Sequence, residues 1–155
     1  MPDLLAHALI AYSAATVLSW RYDWLSRSYV TVAMAGAFIP DLVKISLVLQ
    51  SGTVERLLGV SFDWLALRTL GGSLVSLAIG VVLVASSERR RVAALLGLGT
   101  TTHLLSDALL LVPSGHSFPI FWPFSYVHPP TPGLYLSTEA EPMLVAACVA
   151  GAVFV

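Results

Sequence analysis

Five long apolar stretches, separated by charged or Pro/Gly-rich segments, are the strongest constraint on how this chain can fold. They lie at about 4–20, 29–49, 64–87, 92–112 and 141–155. A helix needs about 20 mostly apolar residues to cross a hydrocarbon core of about 30 Å. Only 11% of the residues are charged and mean hydropathy is +0.83, whereas soluble proteins carry about 25% charged residues. We therefore predict an all-α polytopic membrane bundle of about five transmembrane helices, forming a single integral membrane domain over residues 1–155.

Composition also excludes several other classes of protein. A net charge of -1 argues against a basic nucleic-acid-binding domain, and one cysteine argues against a disulfide scaffold. The chain is 57% apolar with 10% aromatic residues, which is incompatible with a disordered chain. The expected partner is the lipid bilayer, and no nucleic acid is expected.

The positions of the arginines predict an orientation in the cell membrane. Arg21 and Arg27 flank the first connection, and the run Arg89–Arg91 forms the third. Short cytoplasmic loops retain positive charge during insertion, so both connections are assigned to the cytoplasm. The second connection has only Arg56, offset by acidic residues, and segment 113–140 has no Lys or Arg. The N-terminus is thus predicted outside and the C-terminus inside.

Segment 113–140 differs from the rest of the chain because it contains six of the nine prolines. Proline at this density prevents regular helix or central strand, so we expect an ordered loop on the outer membrane face. Trp122 and Tyr126 are suited to the membrane interface. The segment is either an aromatic belt with rigid turns or a lid over a site.

Six ionisable residues lie within the apolar stretches, where each charge costs about 2.5–3.5 kcal/mol on insertion scales. In the predicted topology, all six lie within about 10 residues, or about 15 Å, of the outer end of their helices. They come from four different helices. We therefore predict a membrane-embedded site at one depth, formed by His7, Asp41, Lys44, Arg68, His103 and Asp107.

His103 and Asp107 are the central pair of this predicted site. Their i, i+4 spacing places an imidazole and a carboxylate on one helical face. The same spacing provides two zinc ligands in helical metallohydrolases. The alternative is a His–Asp hydrogen bond that satisfies two buried groups inside the bundle.

The other candidates also have alternative interpretations. Asp41 follows Pro40, which kinks the helix and lets the carboxylate point into the bundle, but Asp41 could instead pair with Lys44 at i+3. His7 is either a ligand or an interfacial side chain. Arg68 could bind an anionic lipid head group, hold Asp41 or Asp107, or extend to the interface.

The motifs around these residues resemble the small multi-pass membrane-bound metal-dependent hydrolases, also called LexA-binding, inner-membrane-associated hydrolases. The matching pieces are Leu5-Ala6-His7-Ala8-Leu9, Pro40-Asp41-Leu42, Thr102-His103-Leu104-Leu105-Ser106-Asp107, Pro113-Ser114-Gly115 and Phe121-Trp122-Pro123-Phe124-Ser125. Their order and spacing cover most of the chain. The family's third motif is degenerate, because Leu67-Arg68 and Gly71-Gly72-Ser73 stand where many members carry histidines. After Asp41 this chain has Val43 and Lys44, whereas the family's motif often continues with a second aspartate.

The resemblance implies a distant similarity to zinc-dependent phospholipases C and hydrolysis of a lipid or phosphoester bond. It implies His7, Asp41, His103 and Asp107 as ligands of a divalent metal ion such as zinc. Asp41, His103 and Asp107 would then be catalytic, and Arg68 would bind the substrate. The alternative is a non-catalytic membrane protein whose buried His/Asp cluster is structural or supports binding of a protein partner.

Overall fold

The protein is all-helical, which confirms the predicted all-α class. The computed structural model describes residues 4–136 and 138–154. The α-helices are α1 (Leu4–Ser19), α2 (Arg27–Ala37), α3 (Ser51–Leu58), α4 (Leu70–Val82), α5 (Arg89–Ala108) and α6 (Glu141–Val153), and two 3-10 helices span Pro40–Leu47 and Trp64–Arg68. In the described residues, β-type pairing is limited to isolated bridges, Leu110 with Tyr135 and His116 with Pro130.

The centre of the bundle is the packing of α5 against α2. Helix α1 lies against α2, α5 and α6, and α4 packs on α5. Small residues let α2 and α5 approach closely: a Cβ added at Gly99 would overlap the carbonyl oxygen of Ala33, and one added at Gly36 would overlap that of Leu96. Thr100 also donates a 3.0 Å hydrogen bond to the Gly36 carbonyl. The two backbones are therefore in direct contact along this interface.

The second apolar stretch forms two helices instead of one continuous helix. Helix α2 ends at Ala37, and the 3-10 helix Pro40–Leu47 continues at an angle of 56°. Pro40 has no N–H and its ring clashes with the preceding turn, so a straight α-helix cannot pass through it. The kink predicted from the sequence is present, and it also changes the helix type.

The third stretch is likewise divided, at Thr69. Thr69 has an extended backbone (φ -89°, ψ 164°), and its side chain accepts a hydrogen bond from the Gly72 N–H as the N-cap of α4. The preceding 3-10 helix is capped in the same way by Asp63, whose carboxylate accepts from Leu65 N–H at 2.9 Å. As a result α4 has 13 residues, or about 20 Å.

Two connections also differ from expectation. The arginine run forms the first turn of α5 instead of a connecting loop, with Arg89 donating to the carbonyls of Val84 and Val82. The predicted second connection contains the short helix α3. At this end of the bundle, the Tyr29 hydroxyl donates to Glu88 and joins α2 to the start of α5.

Segment 113–140 has no regular helix or strand in its described residues, as its proline content predicts. It is fixed to the start of α4 by two backbone hydrogen bonds, Leu70 N–H to Ile120 O at 2.7 Å and Gly71 N–H to Trp122 O at 2.9 Å. The loop is therefore ordered by the first turn of α4, whose N–H groups have no partners within their own helix.

Within the described part of the chain, no single helix combines the length and the apolarity needed to cross a bilayer. The bent pair of α2 and the 3-10 helix Pro40–Leu47 meets both requirements together.

The contact between α2 and α5 gives a testable prediction. Gly99→Ala is expected to lower the free energy of unfolding by about 2 kcal/mol, because the new methyl group would force two backbones apart. Gly97→Ala is the matched control on the same helix, since its Cβ would meet only Leu77 Cδ1 at 3.8 Å. Denaturant titration measures both, and equal stability of the two variants would contradict the close contact.

Candidate metal centre

Three of the predicted site residues form one buried group. His7 from α1 and His103 and Asp107 from α5 have relative exposures of 1%, 0% and 3%. One ligand atom from each lies within 4.8 Å of the others, so this group could hold a metal ion. Arg68, a fourth predicted residue, also reaches it. Of the six residues predicted to form one site, the structure therefore brings these four together.

The orientation of His103 is set by the end of α2. Its Nδ1 lies 2.6 Å from the Ala37 carbonyl oxygen. A carbonyl only accepts hydrogen bonds, so Nδ1 carries the proton and Nε2 of the neutral ring has a free lone pair. Metal-bound histidines commonly donate their second ring N–H to a backbone carbonyl in this way.

The free lone pair of His103 faces another acceptor. Nε2 lies 3.5 Å from Asp107 Oδ2 and has no hydrogen-bond partner among the described residues. Asp107 Oδ2 accepts from Arg68, whereas Nε2 of a neutral His103 has no donor, which is costly for a buried acceptor. The pair predicted from the i, i+4 spacing is present, but its geometry is not that of a neutral His–Asp hydrogen bond.

His7 completes the group from the neighbouring helix. Its ring stacks on His103 with a centroid distance of 3.7 Å and an interplanar angle of 17°. Its Nε2 lies 3.5 Å from Asp107 Oδ1, an oxygen with no hydrogen-bond partner in the described chain. Full burial argues against the alternative of an interfacial side chain for His7.

Arg68 neutralises the other oxygen of the same carboxylate. Its Nη2 donates to Asp107 Oδ2 at 2.6 Å, and its side chain is 19% exposed. The guanidinium lies over the Phe118 ring, 4.6 Å from the centroid. Of the roles considered for Arg68, holding Asp107 is the one present here.

Asp41 is arranged differently from the other carboxylate. Its Oδ2 accepts from Lys44 Nζ at 2.9 Å, which is the i, i+3 ion pair considered from the sequence. The side chain is buried, and Oδ1 has no hydrogen-bond partner in the described residues. Asp41 therefore does not belong to the group of three.

Sequence reasoning missed two contributions from segment 113–140. Phe118 supports Arg68, and the Tyr135 hydroxyl donates to the Ser106 carbonyl at 2.6 Å. Burial, followed by the nearby Asp107 carboxylate, raises the pKa of Tyr135 to about 12. No spacing in the loop indicates these contacts, because they depend on how the loop folds back over α5.

Comparison with known proteins gives no further guide to function. The chain matches no protein-family model, and no curated protein or solved structure is significantly similar to it. Evidence on function therefore comes from the chemistry of the site itself.

The Arg68–Asp107 pair gives a second prediction. Arg68→Met is expected to lower the free energy of unfolding by about 3 kcal/mol, because it leaves the buried carboxylate without its partner charge. Arg68→Lys keeps the charge, so its free energy of unfolding should fall by less. Chemical denaturation of both variants measures the difference. Equal losses would assign the effect to packing on Phe118 instead of to charge.

Proposed function

We propose that this protein is a membrane-embedded metal-dependent hydrolase acting on a lipid or phosphoester bond. His7, His103 and Asp107 would hold one divalent ion, and zinc is the proposed metal. The observation that carries the proposal is a pair of buried acceptors without a hydrogen-bond partner among the described residues, Nε2 of a neutral His103 and Oδ1 of Asp107, in a group whose ligand atoms lie within 4.8 Å of one another. A cation bound between them would take both atoms as ligands.

The donor set is suited to a catalytic zinc site. Two imidazole nitrogens and one carboxylate oxygen are typical of such sites, which leave one further position open. A bound divalent ion would supply Lewis acidity and a nucleophilic water near neutral pH. Arg68, which forks onto phosphate readily, would orient an anionic substrate group. Asp41, with one buried oxygen free of hydrogen bonds, is the carboxylate proposed to hold or move a proton.

The proposed location in a membrane is supported by the outer surfaces of two helices. Large apolar side chains are exposed along α4 and α6, namely Leu74, Val75, Ile79, Val82, Leu144, Val145 and Val149. Apolar surface of this extent requires a nonpolar environment or a partner. We propose a lipid bilayer as that environment, with the N-terminus and segment 113–140 outside and the C-terminus inside.

The second candidate function is a non-catalytic membrane protein, supported by the two ion pairs. Arg68 already neutralises Asp107, and Lys44 neutralises Asp41. In this case the cluster fixes helix packing, and the protein could serve as a binding partner for another protein. The missing histidines of the third motif are consistent with it.

Metal content distinguishes these two functions. We expect the detergent-purified protein to retain about one zinc or other divalent ion per chain after dialysis against a weak chelator, as for a structural or catalytic site. His103→Ala and Asp107→Ala should each abolish it, because each removes a ligand. Elemental analysis is the measurement, and release of phosphate from lipid phosphoesters is assayed on the same samples.

His116→Ala is the matched control, since His116 is exposed in segment 113–140 and should leave metal content unchanged. A folded protein that takes up no ion on re-exposure to zinc would refute the hydrolase and favour the structural cluster. Metal binding without phosphoester hydrolysis would refute only the proposed reaction.

Orientation is tested by labelling single cysteines in intact cells. In a Cys148→Ser background, Ser114→Cys should react with a membrane-impermeant maleimide, whereas Ser87→Cys should react only after permeabilisation. Both serines are exposed, so access depends on the side of the membrane. The reverse pattern would invert the proposed topology, and equal labelling of both in intact cells would contradict it.

A further inference from the structure

A cavity of about 600 Å³ opens beside the candidate metal centre. Its walls come from the 3-10 helix Trp64–Arg68, the residues before it and segment 113–140. They include Phe62, Leu65, Leu67, Arg68, Phe118 and Trp122. The volume is within the range of small-molecule sites.

Arg68 connects this cavity to the buried cluster. One end of its guanidinium donates to Asp107, and the side chain also forms part of the cavity wall. Its Nε is buried and has no hydrogen-bond partner among the described residues. A guanidinium has five N–H donors and the Arg68 side chain is 19% exposed, so an anion in the cavity could bind its exposed part while the contact to Asp107 remains.

The remaining walls are mainly aromatic and aliphatic. Phe118 stacks beneath the guanidinium, and Phe62, Leu65 and Trp122 extend the apolar surface away from it. Asp63 also lines the cavity as an exposed residue whose Oδ1 accepts from Leu65 N–H, and solvent screens its charge. One cation at the inner end of an apolar wall is complementary to a ligand with one anionic group and a hydrocarbon tail.

We propose that this cavity binds a lipid phosphate, with the phosphate on Arg68 and the hydrocarbon chain along Phe62, Leu65 and Trp122. The inference deepens the proposed function and rests on it for the role of the ligand as substrate. Binding itself requires only Arg68 and the cavity walls. The same cavity places a phosphoester next to the His7–His103–Asp107 group, through the residue that already contacts Asp107.

The test is calorimetric titration of dodecyl phosphate into the purified full-length chain in maltoside micelles. The titration is made on the protein as isolated and again on protein treated with a strong chelator. Leu65→Glu places a carboxylate on the cavity wall and should weaken binding about tenfold through charge repulsion and a more polar wall. Leu58→Glu is the matched control, because Leu58 is 63% exposed against 62% for Leu65 and does not line the cavity.

Two further probes separate the parts of the ligand. Inorganic phosphate and dodecanol should each bind at least about tenfold more weakly than dodecyl phosphate, since each lacks one group that the cavity contacts. Equal binding of inorganic phosphate would overturn the hydrocarbon subsite, and equal binding of dodecanol would overturn the phosphate contact. Identical affinities in the Leu65→Glu and Leu58→Glu variants would overturn the assignment to this cavity.

The test of the cavity can be distinguished from the test of the metal centre. Binding of dodecyl phosphate that depends on Leu65, in a chain that takes up no ion on re-exposure to zinc, would support the cavity and refute the hydrolase. A chain that holds zinc and fails to bind dodecyl phosphate would refute the cavity and leave the metal centre in place.

Discussion

The direct contact between the backbones of α2 and α5 is the constraint on which the candidate site depends. Gly36 and Gly99 leave no space for a Cβ between the helices, which brings the end of α2 against His103. Because Pro40 prevents α2 from continuing as an α-helix, the Ala37 carbonyl lies at a helix end, where it accepts a hydrogen bond from His103 Nδ1–H. A residue larger than glycine at the contact would separate this donor from its acceptor and release the ring.

Compensation of the Asp107 charge decides between the two proposed functions. The carboxylate has Arg68 on one oxygen and two histidine nitrogens at 3.5 Å. If Arg68 alone balances it, the histidine lone pairs remain unsatisfied in a dry interior, which is costly. A bound cation satisfies the lone pairs but adds positive charge next to Arg68. An anionic ligand on Arg68 would then offset that added charge, and the proposed metal centre and the neighbouring cavity would be coupled in this way.

Local sequence signals predicted those parts of the fold that depend on neighbouring residues. The i, i+4 pair of His103 and Asp107, the kink at Pro40 and the irregular proline-rich segment 113–140 all follow from short-range geometry, and all three are present. The break at Thr69 was not predicted, because an apolar stretch gives no sign of an extended residue within it. Capping by the Thr69 side chain and pairing of α4 with Ile120 and Trp122 decide that break, and both partners of α4 are distant in sequence.

The sequence by itself determined the all-α class, the apolar character of the helices and the set of ionisable residues within the apolar stretches. Those residues stand out because a charge in an apolar helix is costly wherever the helix lies. Only the tertiary structure decided how those residues divide. His7, Arg68, His103 and Asp107 meet, whereas Asp41 is held by Lys44. The reason is physical: spacing fixes which residues share a helical face, but helix breaks and close backbone contacts fix which faces meet.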